Sequence, residues 1–221
     1  QRISITFPGD MQSLSDGKLT SSVELFANSG KHLRTDVWVQ NKPHAPYLTM
    51  LAVGNWVRVK DSLQWPIDPI VKKKETLPIE YLVDPKYKED AHRIFGNTPE
   101  MIQFFSNYTG VKYPWDKYSQ VVARDFITGA MENTTATVHF DRLNQDSRSH
   151  ADNPYEEYIS HELFHQWFGD YVTCESWADL SLNESFATFG EYLWVEHKNG
   201  PMELGLKLKT DKERFWYLQR I

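Results

Sequence analysis

The segment His161-Glu162-Leu163-Phe164-His165 restricts the fold more than any other part of the chain. Two histidines four residues apart share a face only on a helix, so a helix is required wherever they act together. A second stripe, Ile159, Leu163 and Trp167, can pack that helix into a core. The flanking sequence agrees. Asn153-Pro154 starts a helix that runs to about Phe168, with Gly169 as its cap. A second helix is predicted from about Asn183 to His197, ending at Asn199-Gly200-Pro201. In a third, Leu204, Leu208, Phe215 and Leu218 fall on helical spacing.

Upstream the period changes to two. His32 to Val39 alternates, with Leu33, Val37 and Val39 apolar. Tyr47 to Val59 is rich in β-branched and aromatic residues and is punctuated by Gly54-Asn55. Ile79, Tyr81 and Val83 alternate before Asp84-Pro85. Tyr87 to Tyr108 then reads as helix in two pieces, the second starting with Thr98 as N-cap, Pro99 and Glu100. Tyr118–Ala123 and Thr135–Phe140 read as strands. The pattern is α+β: a β module over residues 1–84, then an α+β module over 85–221.

Composition excludes several classes. The chain has 40% hydrophobic and 24% charged residues, as globular chains do. Its 24 basic and 30 acidic residues give a net charge of −6, a poor match to nucleic acid or an anionic membrane surface. No apolar run reaches the ~18 residues of a membrane span. The single cysteine excludes an internal disulfide and leaves the compartment open.

The motif has a chemistry. His161 and His165 can face one ion, and two imidazoles suit Zn²⁺. Glu162 sits beside that face, placed to take a proton from metal-bound water. A catalytic zinc wants three protein ligands and one open position, and Glu184 at the start of the next helix supplies the third. Glu191, two turns on, either accepts an N–H from a ligand histidine or is a solvated helix glutamate. Cys174 reads as a small buried residue, and the tryptophans as core. His32, His44, His92, His139, His150 and His197 read as surface or satisfied core residues.

Gly129-Ala130-Met131-Glu132-Asn133 is the second signal. A close Gly-Ala approach precedes a carboxylate on or beside a strand. Its backbone edge could pair with an extended peptide, and Glu132 with a cationic peptide end.

Together, GAMEN, HExxH and a glutamate eighteen residues on resemble the M1 family of zinc aminopeptidases, of the gluzincin class. The match is specific from about residue 113 to 194, including Gln166-Trp167-Phe168-Gly169, Val172-Thr173 and Leu182 to Ala187. Upstream it is looser, where Ala52-Val53-Gly54 resembles the end of the family's N-terminal β domain. Asp170 stands where many members have Asn. The resemblance implies the C-terminal part of a β-sandwich-like domain, then a truncated thermolysin-like catalytic domain. It implies one Zn²⁺ per chain, held by His161, His165 and Glu184. It further implies Glu162 as general base, and residues 129–133 on a peptide substrate with a free N-terminus, Glu132 taking the α-amino group.

Two other readings remain open: a thermolysin-like endopeptidase and a non-catalytic module that binds peptide ends. Gln1 and Ile221 read as cuts in a longer enzyme. The family's oxyanion-stabilising tyrosine lies beyond the chain, and Tyr192 and Tyr217 do not match its context. The expectation is therefore a chain that binds zinc with little or no turnover, and that exposes apolar surface near Phe215-Trp216.

Overall fold

The computed structural model describes residues 1–26, 30–66 and 75–218. The strands are β1 (Arg2–Pro8), β2 (Gln12–Ser15), β3 (Lys18–Phe26), β4 (His32–Val39), β5 (Leu51–Gly54), β6 (Val57–Gln64) and β7 (Thr76–Val83). Helices α1 (Ala91–Phe95) and α2 (Thr98–Thr109) precede β8 (Tyr118–Ala123), β9 (Ala130–Met131) and β10 (Ala136–Phe140). Helices α3 (Ser147–Asp152), α4 (Glu156–Phe164), α5 (Ser181–Asn199) and α6 (Pro201–Leu218) follow.

One mixed sheet of order β6-β7-β8-β10-β9 organises the molecule. β7, β8 and β10 are parallel, with β6 and β9 antiparallel at the edges. Parallel strands covered on both faces need apolar runs rather than alternation. Accordingly Ile79, Tyr81, Leu82 and Val83 are all fully buried. One face packs Ile79, Tyr81 and Tyr118 against Phe95, Met101, Ile102, Phe105, Leu163 and Phe164 from the helices. The other face sets Leu82, Val121 and Ala136 against Leu14 and Trp38 from the N-terminal strands and Met50 just before β5. Those strands form two smaller sheets, β1-β4-β3 and β2-β5.

A boundary near residue 84 falls between β7 and β8, where Ile79 to Leu82 pair with Tyr118 to Val121 in one sheet. Character changes at Asp84-Pro85 because helices begin there, whereas the sheet begins at Val57. By sheet membership the seam lies between Gly54 and Val57, where Gly54-Asn55 carries the chain from one sheet to another. In β4, the fully buried residues are Asp36 and Trp38 rather than the alternating Leu33, Val37 and Val39. Ser13 Oγ decides this, donating to Asp36 at 2.5 Å and accepting from Trp38 Nε1 at 3.0 Å. Thr98 is the first residue of α2 rather than its cap, because its hydroxyl accepts from the buried Gln120 amide at 2.9 Å. Finally, Trp177 is 63% exposed and Cys174 only partly buried. Phe215 is exposed, and the side chains of Trp216 and Tyr217 lie outside the described residues.

A buried lysine joins the N-terminal strands to the central sheet. Lys117 Nζ donates to the Ser15 and Thr135 carbonyls at 3.0 and 3.2 Å and to Ser119 Oγ at 3.3 Å. Burial pushes its ammonium from the ordinary 10.5 down to about 7, against the pull of Glu80 and Asp16. Between those values the folded chain has released a proton that the unfolded chain still holds. The contribution of Lys117 to stability therefore rises with pH across that window. His161, raised to about 10, works in the opposite direction there, so the readout is a difference: the urea midpoint of the wild type relative to that of Lys117→Met is expected to climb between pH 7 and 9. An unchanged slope in the variant would contradict the assignment.

Candidate metal centre

The metal-facing geometry starts with a helix end. α4 is shorter than the sequence suggests, starting after Tyr155, which sits at φ +52°. After Phe164 the chain tightens: Gln166 N–H bonds Leu163 and Trp167 N–H bonds Phe164, both at 3.1 Å. Three-residue bonds of this kind close a helix by using its last carbonyls. His165 keeps helical angles (φ −56°, ψ −26°) and so stays one turn below His161. α5 packs against α4 after the loop through Gly169, which takes φ +129°. That loop brings Glu184, in the first turn of α5, over the two imidazoles.

Three ligating atoms converge. His161 Nε2 and His165 Nε2 are 3.2 Å apart, and Glu184 Oε2 lies 3.4 and 3.5 Å from them. A tetrahedron with metal–ligand bonds of about 2.0–2.2 Å has edges of about 3.3–3.6 Å. The donor set and its spacing therefore fit a zinc ion. The outer ring nitrogens support this orientation. His161 Nδ1 is 2.8 Å from Glu191 Oε1, and His165 Nδ1 is 3.0 Å from the Phe168 carbonyl. Each acceptor holds the proton on Nδ1 and leaves the Nε2 lone pair facing inward. Glu191 is in turn 3.0 Å from Lys207 Nζ on α6, which also meets Glu157 at 2.8 Å.

The charges are tightly coupled. Burial opposes protonation of His161, but Glu184 and Glu191 outweigh it and raise the imidazole to about 10. Glu184 is held far below the carboxylate range by the same two histidines. A proton thus competes with a metal for this site, so metal affinity falls as pH falls. Burial raises Glu162 to about 7, although His165 and His161 pull it down. Burial, with Glu132 and Glu162 nearby, also lifts Asp170 well above the carboxylate range.

Glu132 and Glu162 are 8% and 7% exposed. Their oxygens and a ring nitrogen of His165 lie within 4.8 Å of one another. Neither carboxylate has a hydrogen-bond partner among the described residues. They open on a cleft of about 710 Å³, lined on one side by Ala130, Met131 and Glu132 and on another by His161, His165 and Glu184. Of residues 129–133, Gly129 turns the chain, at φ +87°, and its carbonyl accepts the Phe140 N–H at 2.8 Å. Asn133 faces away from the cleft, donating its amide to the Leu48 carbonyl at 3.2 Å. β9 is the sheet's edge strand, paired through Ala130 and Met131 with β10 alone.

Sequence reasoning did not find the partners from distant segments. Tyr47 accepts from the buried Asn183 amide at 3.1 Å, and Lys207 reaches Glu191 across two helices. Neither pairing leaves a periodic signal. Gln166 adjoins the motif, yet nothing in its spacing tells what its amide bonds.

Comparison with known proteins matches this geometry to a family. The model of the "Peptidase family M1 domain" matches residues 94–217, more than half of the chain. The glutamyl aminopeptidase of Mus musculus is 32% identical over 88% of this chain and 20% of its own length. Aminopeptidase N of Streptomyces lividans is 37% identical over 66% of this chain and 17% of its own length. The solved structure of an M1 zinc metallopeptidase from Deinococcus radiodurans superposes with a TM-score of 0.72 at 25% identity. That match covers 99% of this chain and 44% of the other. The chain thus spans about a fifth of the length of these curated relatives. A metal-facing helix pair, a carboxylate-bearing edge strand and a family model spanning both lead to one assignment: the chain belongs to peptidase family M1.

Proposed function

We propose that the chain carries the metal- and amine-binding part of a zinc aminopeptidase that removes the first residue of a peptide. The observation that carries this reading is the convergence of five side chains on one cleft: His161, His165, Glu184, Glu162 and Glu132. The first three would hold zinc. When bound, zinc polarises a carbonyl and makes water acidic near neutral pH.

The remaining steps belong to the protein. Glu162, raised to about 7 by burial, is poised near neutrality to take a proton from the attacking water and return it to the leaving amine. Glu132 offers a buried carboxylate with no hydrogen-bond partner among the described residues, and a substrate ammonium would satisfy it by charge-assisted hydrogen bonds. The open edge of β9 can pair with the extended substrate backbone. A carboxylate that captures the peptide's first nitrogen sets the cut one residue in, which separates this reading from an endopeptidase.

N-terminal acetylation removes the charge that Glu132 would hold. The slow turnover expected of the zinc-loaded chain, followed at high enzyme concentration, should release the first residue of a free tripeptide at least about tenfold faster than that of its acetylated form, the equivalent of one charge-assisted hydrogen bond. Mass spectrometry of the products checks this, and equal cleavage of both peptides favours the endopeptidase instead.

A further inference from the structure

Gln166 follows the second histidine of the motif and is completely buried. Its amide bonds almost entirely to one short stretch of chain. Nε2 donates to the Glu132 carbonyl at 3.0 Å and to that of Asn133 at 3.4 Å. Oε1 accepts the Thr135 N–H at 2.9 Å and the Tyr113 hydroxyl at 3.3 Å. The stretch it grips is tightly turned. Thr135 takes φ +67°, which side chains other than glycine rarely adopt, and Ala136 N–H folds back on the Asn133 carbonyl at 3.0 Å. Buried backbone groups inside such a turn need partners that water does not supply.

The other bonds to this turn come from elsewhere. Asn133 is tied to Leu48, Thr134 to His44, and Thr135 to Gly17 and Lys117. Among the described residues, Gln166 makes the direct hydrogen bonds between residues 129–136 and the chain segment that carries His161 and His165. We propose that Gln166 is a positioning residue: its amide sets the Glu132 carboxylate at a fixed distance from the metal pair. Free-amine ligands are thereby selected over blocked ones. This rests on the reading of Glu132 as the acceptor of the substrate amine. Metal binding itself does not depend on Gln166, because the ligands are oriented by Glu191, the Phe168 carbonyl and α5.

The test uses the zinc-loaded chain and two probes, leucine hydroxamate and N-acetyl-leucine hydroxamate, which share the metal-binding group and differ in the ammonium. Calorimetry gives both affinities, and metal analysis gives the zinc content. The wild-type chain is expected to prefer the free amine by at least about tenfold. In Gln166→Met, which fills the same volume without the amide, the preference falls below about threefold. Zinc content and affinity for the acetylated probe stay unchanged. Gln166→Glu keeps an acceptor for Thr135 and Tyr113 and, buried and protonated, offers one O–H in place of the amide's two N–H donors to the Glu132 and Asn133 carbonyls, and its preference falls between the two. A wild-type preference that survives in both variants overturns the inference and leaves the amine site standing. Loss of zinc from both variants also overturns it, since Gln166 would then hold the metal helix. Absence of any wild-type preference removes the Glu132 reading, and this inference with it.

Discussion

Glu184→Ala is expected to leave the chain nearly free of zinc after dialysis against buffer, while the wild type keeps about one ion. The argument is geometric. His161 and His165 alone offer two donors 3.2 Å apart, and Glu184 Oε2 closes the triangle at 3.4 and 3.5 Å. Partners that merely orient ligands are worth about 10–100-fold in metal affinity. Loss of a ligand should therefore cost more than about a hundredfold, whereas Glu191→Gln should stay within the 10–100-fold range. One effect opposes the loss. Glu184 also holds a proton on His161, so its removal eases proton competition at neutral pH. That relief is available only to a site with two ligands, so the net change remains a large weakening. Thermal unfolding gives an independent reading, because an ion that binds only the folded state raises its melting temperature. Zinc should raise it in the wild type and leave it unmoved in Glu184→Ala. Equal zinc retention in both chains would remove Glu184 from the ligand set.

Much of this site could be read from the sequence, for a local reason. His161, Glu162 and His165 lie within one helical turn and a half, and Glu184 needs only a reversal of the chain to reach them. Helical spacing also placed Glu191 on the same face as Glu184, and it lies 2.8 Å from His161 Nδ1. What escaped depends on tertiary contacts. A seam at residue 84 follows the change in local element type, while sheet membership follows pairing across some forty residues, as between Ile79 and Tyr118. The buried face of β4 is not legible in its own alternation, because Ser13, 23 and 25 residues away in sequence, satisfies both Asp36 and the Trp38 indole. Adjacency groups Asn133 with the cleft residues, and no local pattern tells that its amide donates to the Leu48 carbonyl, 85 residues away.

The close approach of α4 and α5 sets the second large effect. Gly190 is buried, and a Cβ built there would lie 2.6 Å from both Cβ and Cγ of Phe164. These are root atoms of a side chain that is 1% exposed and locked against Phe105 at 4.7 Å and Phe168 at 5.3 Å between ring centres. Phe164 cannot swing away, so α5 must lift. Glycine to alanine within a helix ordinarily gains about 1 kcal/mol. Overpacking a fixed core costs about 1–3 kcal/mol, and contacts this short belong to the upper part of that range. Gly190→Ala is therefore expected to lower stability by up to about 2 kcal/mol, which at this chain length is a fall of several degrees in melting temperature. The lift also carries Glu184 and Glu191 away from the histidines, so zinc affinity should fall in the same variant. Gly205 supplies the control: it is exposed in the second turn of α6 and a Cβ there meets nothing within 4 Å. Gly205→Ala should raise stability by about 1 kcal/mol and leave zinc binding unchanged. If Gly190→Ala stabilised the chain as Gly205→Ala does, the tight α4–α5 contact would not be what holds Glu184 over His161 and His165.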